Sequence, residues 1–169
     1  KELLDTNITQ KSILISGAGG SIGFEICSII SRLNPKKIIL VEKNEYNLYK
    51  INKYLNENIS EKNIIVPVLC GVEDKKSFKS IFEMHSIDIF FHAAAYKHVD
   101  IVENNVFYAM KNNILGTINS INLSIEYNIK NFVLISSDKA VRPKNFMGAS
   151  KRFSELILQY YANSENNET

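Results

Sequence analysis

Ser12-Ile13-Leu14-Ile15-Ser16-Gly17-Ala18-Gly19-Gly20-Ser21-Ile22-Gly23 is the stretch that decides the fold. A short apolar run enters a glycine cluster, and Ile22–Leu33 (IGFEICSIISRL) then repeats its apolar residues every three or four positions. That pattern predicts strand, turn and helix, with Pro35 closing the helix. The same alternation continues along the chain. Strands are predicted at Lys37–Glu42, Ile64–Cys70, Ile87–Ala93 and Phe132–Ser136. Helical segments are predicted at Asn44–Asn58, Lys75–His85, Val102–Tyr127 and Phe146–Ala162. In the Asn44–Asn58 helix, Tyr46, Leu48, Ile51 and Leu55 are expected to face inward.

Strands that are apolar throughout, rather than alternating, suit a parallel sheet covered on both faces. Strict strand–helix alternation with short loops then predicts a doubly wound, mostly parallel sheet of the Rossmann type, layered α/β/α. The chain has 169 residues, enough for one sizeable core. We expect a linker at 1–10, the folded domain at 11–162 and a polar tail at 163–169. A net charge of +2, with the lysines scattered, leaves no footprint for nucleic acid. Cys27 and Cys70 sit in apolar runs and are expected to be reduced core residues. They form no metal-ligand spacing with His85, His92 or His98, so no metal is expected. No run approaches the roughly 20 apolar residues of a membrane helix, which makes a cytoplasmic setting the default expectation.

Gly17, Gly20 and Gly23 form a GxxGxxG arrangement with an extra glycine at Gly19. One glycine allows the tight turn, another lets backbone approach a pyrophosphate, and the third lets helix pack on strand. The helix start, with Ser21 and Ile22, then offers free N–H groups and a positive dipole end to the phosphates. Glu42 ends the second strand roughly 20 residues further on, where a carboxylate can accept both ribose hydroxyls. The alternative for Glu42 is a solvated strand-end charge. As a ribose ligand it repels a 2′-phosphate and favours NAD, while Lys43 beside it leaves NADP open.

Ligands of open α/β sheets lie beyond the carboxyl ends of the strands. There Ala93, Ala94 and Ala95 would let a cofactor pass close to the backbone. Ser136-Ser137-Asp138-Lys139 ends the fifth strand, and Met147 and Lys151 stand four apart on one face of the last helix. An Asp–Lys pair at a strand end also has a plain reading as a solvated turn. Taken together, these residues place an acid, an amine and a hydroxyl above the expected nicotinamide position.

Gly17–Gly23, His92–Ala95, Asn113-Ile114-Leu115-Gly116-Thr117 and a serine followed by an x-x-x-Lys helix resemble the extended short-chain dehydrogenase/reductases. Within that superfamily, Ser136–Pro143 (SSDKAVRP) with Asn145–Arg152 (NFMGASKR) closely resembles the UDP-N-acetylglucosamine 4,6-dehydratases of polysaccharide biosynthesis. Asn44–Tyr49 and Ala95–Val99 match the same subfamily, and the likeness runs from about Ser12 to Tyr161. Two departures stand out. Met147 occupies the place of the usual catalytic tyrosine, as in the membrane-associated branch, and its thioether cannot act as a base. The Gly-Asp-Val that usually contacts adenine reads Cys70-Gly71-Val72, which leaves backbone or Val72 for that contact.

The resemblance implies hydride transfer from sugar C4 to NAD(P)+, water loss across C5–C6, and hydride return to C6. It assigns the C5 proton to Lys139, protonation of the leaving hydroxyl to Asp138, and the 4-oxygen to Ser137. Lys151 would hold the nicotinamide ribose, Asn113 would lie against the cofactor, and Lys97 would meet the UDP-sugar. For Lys139 and Asp138 this requires pKa values moved towards neutrality. The rival readings are a UDP-sugar epimerase on the same scaffold and a non-catalytic NAD(P)-sensing module. Family members continue beyond this length with a sugar-gripping domain, so we expect a fragment of a longer, membrane-anchored parent that is a homo-oligomer at full length. Phe153, Leu156, Ile157 and Tyr160 form one face of the last helix, for dimer packing or for core burial.

Overall fold

The computed structural model describes residues 7–59 and 64–165. Five strands form one sheet: β1 (Ser12–Ser16), β2 (Lys37–Glu42), β3 (Ile65–Leu69), β4 (Ile89–His92) and β5 (Asn131–Leu134). Their order is β3-β2-β1-β4-β5. Every pairing is parallel, with Ser16 opposite both Val41 and His92. The chain therefore winds outward in one direction through β2 and β3, then returns past β1 to β4 and β5. That reversal opens a crevice above β1 and β4, where an open parallel sheet takes its ligand.

The period of two along each strand explains the unbroken apolar runs. Ile13 and Ile15 of β1, with Ile38 and Leu40 of β2, point into one core with Cys27, Ile51 and Leu55. Leu14, Ile39 and Val41 point into the other, with Phe78, Ile81, Phe82, Phe90 and Leu123. Each such side chain contributes about 1.5–3 kcal/mol through burial. In the second core Phe90 packs edge-on against Phe132 at a 5.1 Å centroid separation.

Helices cover both faces: α1 (Ser21–Ile30), α2 (Glu45–Asn58), α3 (Lys75–Met84), α4 (Val99–Glu103), α5 (Val106–Met110), α6 (Gly116–Glu126) and α7 (Phe146–Glu165). Asn44 and Asp74 start α2 and α3 by accepting hydrogen bonds from the backbone N–H groups of Asn47 (2.9 Å) and Ser77 (3.2 Å). Cys27 and Cys70 are free and buried, and burial pushes their thiols up to about 12 and about 11.

Several expectations are corrected. Tyr46 does not face inward but is 64% exposed, because it lies two residues before Leu48 and so on the opposite side of the helix. The single helix expected over 102–127 is broken after Glu103 and again by a π-helical segment, Lys111–Leu115. Of the expected linker, residues 1–6 lie outside the described residues, while 7–10 are docked. Ile8 is buried, and the Gln10 N–H donates to the Asn34 carbonyl at 2.9 Å. Of the expected tail, residues 163–165 continue α7, and 166–169 lie outside the described residues.

Candidate active site

Gly17 takes a φ of +67°, a left-handed conformation that L side chains rarely adopt. At Gly23 the constraint is space, since a Cβ there would lie 2.1 Å from the Gly17 carbonyl oxygen. The turn thereby delivers the start of α1 directly under β1. Gly20 caps that helix without a side-chain hydrogen bond, so Ser21, Ile22 and Gly23 begin it with no side chain covering their N–H groups. Ile22 is exposed. The amine of Lys97 reaches across to the Ser21 hydroxyl at 2.9 Å, adding positive charge beside the helix start.

Two cavities flank this helix start. One, of about 630 Å³, is bordered by Gly17, Glu42, Lys43, Val72, Glu73 and Asn112 among others. The other, of about 410 Å³, is bordered by Ser21, Lys97 and the residues at the ends of β5 and α7. Gly20, Ala93 and Ala95 border both, so an extended two-nucleotide ligand laid over the helix start would reach into each. The glycine cradle and the free N–H groups fit a pyrophosphate at the middle.

Glu42 is buried at the rim of the first cavity. Its Oε2 accepts the Gly19 N–H at 3.1 Å and its Oε1 the Asn44 N–H at 3.0 Å. The carboxylate thus ties the glycine turn to β2, with lone pairs left on each oxygen. Lys43 lines the same cavity, where three partners hold it. Its ammonium donates to Glu73 Oε1 (3.2 Å), the Tyr96 hydroxyl (2.5 Å) and Asn112 Oδ1 (2.6 Å). Val72 borders the cavity but is packed into the core.

Asn113, expected against the cofactor, is instead spent inside the protein. Its Oδ1 accepts from the Tyr96 N–H (2.8 Å) and Asn112 Nδ2 (3.0 Å), and its Nδ2 donates to the Tyr96 carbonyl and Ser150 Oγ (both 3.1 Å). With all these hydrogen bonds made and the residue buried, it fixes the Tyr96 backbone at the cavity edge.

Ser137, Asp138, Lys139, Met147 and Lys151 do come together around the second cavity. A 3₁₀ turn over Asp138–Ala140, capped by Ser137, carries the first three, and the first turns of α7 carry the others. A Cβ on Gly148 would lie 2.4 Å from the Lys139 carbonyl oxygen, so glycine lets α7 sit directly on that turn. Met147 is buried with Val102 and Ala109. Lys151 donates to the Ile135 carbonyl at 2.6 Å, and burial pushes its ammonium down to about 8. Asp138 departs from expectation. Its side chain is 91% exposed, and the Ser137 hydroxyl, then Lys139, hold its carboxyl below the usual range. Lys139 Nζ stands 3.8 Å from Asp138 Oδ1 and is half exposed.

Two bordering residues escape sequence reasoning. Asn112 is buried beside Asn113 because the wider π turn brings both inward, which a regular helical period does not foretell. Glu73 had a faint signal, as the first acid after the side-chain-free Gly71.

The family profile described as "Polysaccharide biosynthesis protein" matches residues 13–169. The chain is 41% identical over 167 residues to the capsular polysaccharide biosynthesis protein CapD of Staphylococcus aureus, covering 99% of this chain and 28% of that protein. It is 32% identical to a UDP-N-acetylglucosamine 4,6-dehydratase (inverting) of Campylobacter jejuni, covering 88% of this chain and 42% of that one. A UDP-glucose 4-epimerase of Rickettsia massiliae has the same 32% identity and the same coverage. Among solved structures, Pen of Bacillus thuringiensis superposes with a TM-score of 0.84 at 33% identity, covering 94% of this chain and 47% of that one. The chain spans less than half the length of each of these relatives.

Proposed function

Because the chain belongs to the polysaccharide biosynthesis protein family, we propose that it is the NAD(P)-binding part of a nucleotide-sugar 4,6-dehydratase acting on UDP-N-acetylglucosamine. One observation carries this reading. The two cavities meet at the glycine cradle through Gly20, Ala93 and Ala95, and the second carries Ser137, Asp138, Lys139, Met147 and Lys151. When bound, the cofactor supplies a hydride acceptor that becomes the donor.

The protein's own groups do the rest. The start of α1 holds the cofactor diphosphate, Lys97 meets the UDP-sugar, and Glu42 takes the adenosine ribose. Lys151, fixed by the Ile135 carbonyl, sets a positive charge where the 4-oxygen becomes an alkoxide, and its buried position strengthens that field. Ser137 donates to the same oxygen. Met147 moves no proton, so the 4-hydroxyl gives its proton to Asp138 or to water. Lys139 takes the C5 proton, which the C4 ketone acidifies, and Asp138 returns a proton to the departing 6-hydroxyl. That last role needs cover over an acid that is exposed in this chain, and the bound sugar or the remainder of the protein provides it.

A UDP-sugar epimerase is the second reading, favoured by the Rickettsia relatives and by the low pKa of Asp138. Single-turnover assays of the full-length protein test the base assignment. We expect Lys139→Ala to lose both product formation and solvent-deuterium incorporation at C5. Near-normal formation of the 4-keto-6-deoxy sugar would overturn it.

A further inference from the structure

After β3 the chain runs through Gly71, Val72 and Glu73, and Glu73 folds back over Gly71. A Cβ on Gly71 would lie 2.6 Å from Glu73 Oε2, 2.8 Å from its Cδ and 2.9 Å from its Oε1. The carboxylate therefore fills the space that a side chain at residue 71 would take, at the wall of the 630 Å³ cavity. Its Oε1 accepts from Lys43. Its Oε2 is buried and accepts nothing, the one side-chain nitrogen or oxygen in that state among the described residues. A buried acceptor without a donor costs about 1–3 kcal/mol, which points to a donor from outside the chain.

Lys43 is the other half of the arrangement. An ammonium has three hydrogens, and Glu73, Tyr96 and Asn112 take all three. Its charge is already paired by Glu73 at 3.2 Å. A phosphate arriving beside Glu42 would find that lysine occupied and a carboxylate on each side of it.

We propose that Glu73 selects the adenosine end of the cofactor. Its carboxylate accepts a hydrogen bond from the adenine amino group, with a small turn of the carboxyl bringing an oxygen to it. By pairing Lys43 it also keeps that lysine from a 2′-phosphate. The proposal rests on the reading of the groove as an NAD(P) site.

Isothermal titration of this chain with NAD, nicotinamide hypoxanthine dinucleotide and NADP tests it. The hypoxanthine analogue places an oxygen where adenine has its amino group. The unaltered chain is expected to bind NAD about tenfold or more tighter than that analogue, the effect of one lost charge-assisted hydrogen bond. Glu73→Gln, which can donate as well as accept, is expected to close most of that gap. It is also expected to raise NADP affinity relative to NAD by about tenfold, since Lys43 is freed. Equal binding of NAD and the analogue by the unaltered chain overturns the adenine contact and needs no variant to read. An unchanged NAD-to-NADP ratio in Glu73→Gln overturns the hold on Lys43. Binding of none of the three overturns the NAD(P) reading itself, and this proposal with it.

Discussion

Ser16 and His92, the last residues of β1 and β4, share a 2.7 Å contact between Oγ and Nδ1 inside the sheet. On the other side of the ring, Nε2 lies 3.1 Å from Thr117 Oγ1. Thr117 gives its hydroxyl hydrogen to the Asn113 carbonyl at 2.6 Å, so it can only accept from the ring. Nε2 therefore carries a proton, and in the neutral imidazole Nδ1 accepts from Ser16. Burial, and secondarily the charge of Lys151, push its pKa down from 6.5 to about 3. The unfolded chain takes a proton near pH 6.5 and the folded chain does not until about 3. Stability therefore falls as pH drops through that window, by up to about 1.4 kcal/mol per unit from this group. His92→Gln is expected to flatten the acid limb of Tm against pH between about 6 and 4. Equal slopes in the two proteins would remove His92 from the account.

Gly23 and Gly20 separate packing from binding. Gly23→Ala places a Cβ 2.1 Å from the Gly17 oxygen, whereas one on Gly20 meets that atom at 3.2 Å. Gly23→Ala should cost about 2 kcal/mol of stability, roughly 6 °C in Tm. Gly20→Ala should leave Tm within about 2 °C yet weaken NAD by about tenfold through crowding of the pyrophosphate. Thermal melts and titration calorimetry on the same samples check both. Similar melting of the two variants would contradict the packing argument.

Lys151 supplies a second pH dependence. Its pKa is lowered to about 8, so it loses charge as pH rises through that value. NAD affinity is expected to decline above about pH 8 in the unaltered chain and to stay level in Lys151→Met. A decline that survives in the variant would assign the titration to another group.

The outer face of α7 remains open in the single chain. Phe153, Leu156 and Tyr160 are 49%, 46% and 71% exposed, while Ile157 between them is half-buried. Such a face suits a second copy of the protein. Sedimentation of the full-length protein should show an oligomer that Leu156→Glu dissociates. An unaltered oligomer in that variant would place the contact elsewhere.

The sheet was legible in the sequence because β1 and β2 are buried on both faces, so Ile13 to Ile15 and Ile38 to Val41 leave no polar gap to misread. The glycine turn and Glu42 were legible through fixed spacing. The break of 102–127 was not, because Val102–Tyr127 keeps its helical apolar period through the π turn at Lys111–Leu115. The burial of Asn113 was not legible, because its partners Tyr96 and Ser150 lie 17 and 37 residues away, in other elements. Glu73 was hidden for the same reason: only the fold brings it over Gly71 and against Lys43.

The most direct test of the dehydratase reading is the product that the full-length protein makes from UDP-N-acetylglucosamine carrying deuterium at C4, with NAD+ added. Mass spectrometry and NMR should find a 4-keto-6-deoxy sugar, lighter by one water, with the deuterium moved to C6. A product that loses no water and differs only in its configuration at C4 would contradict that reading and make the protein an epimerase.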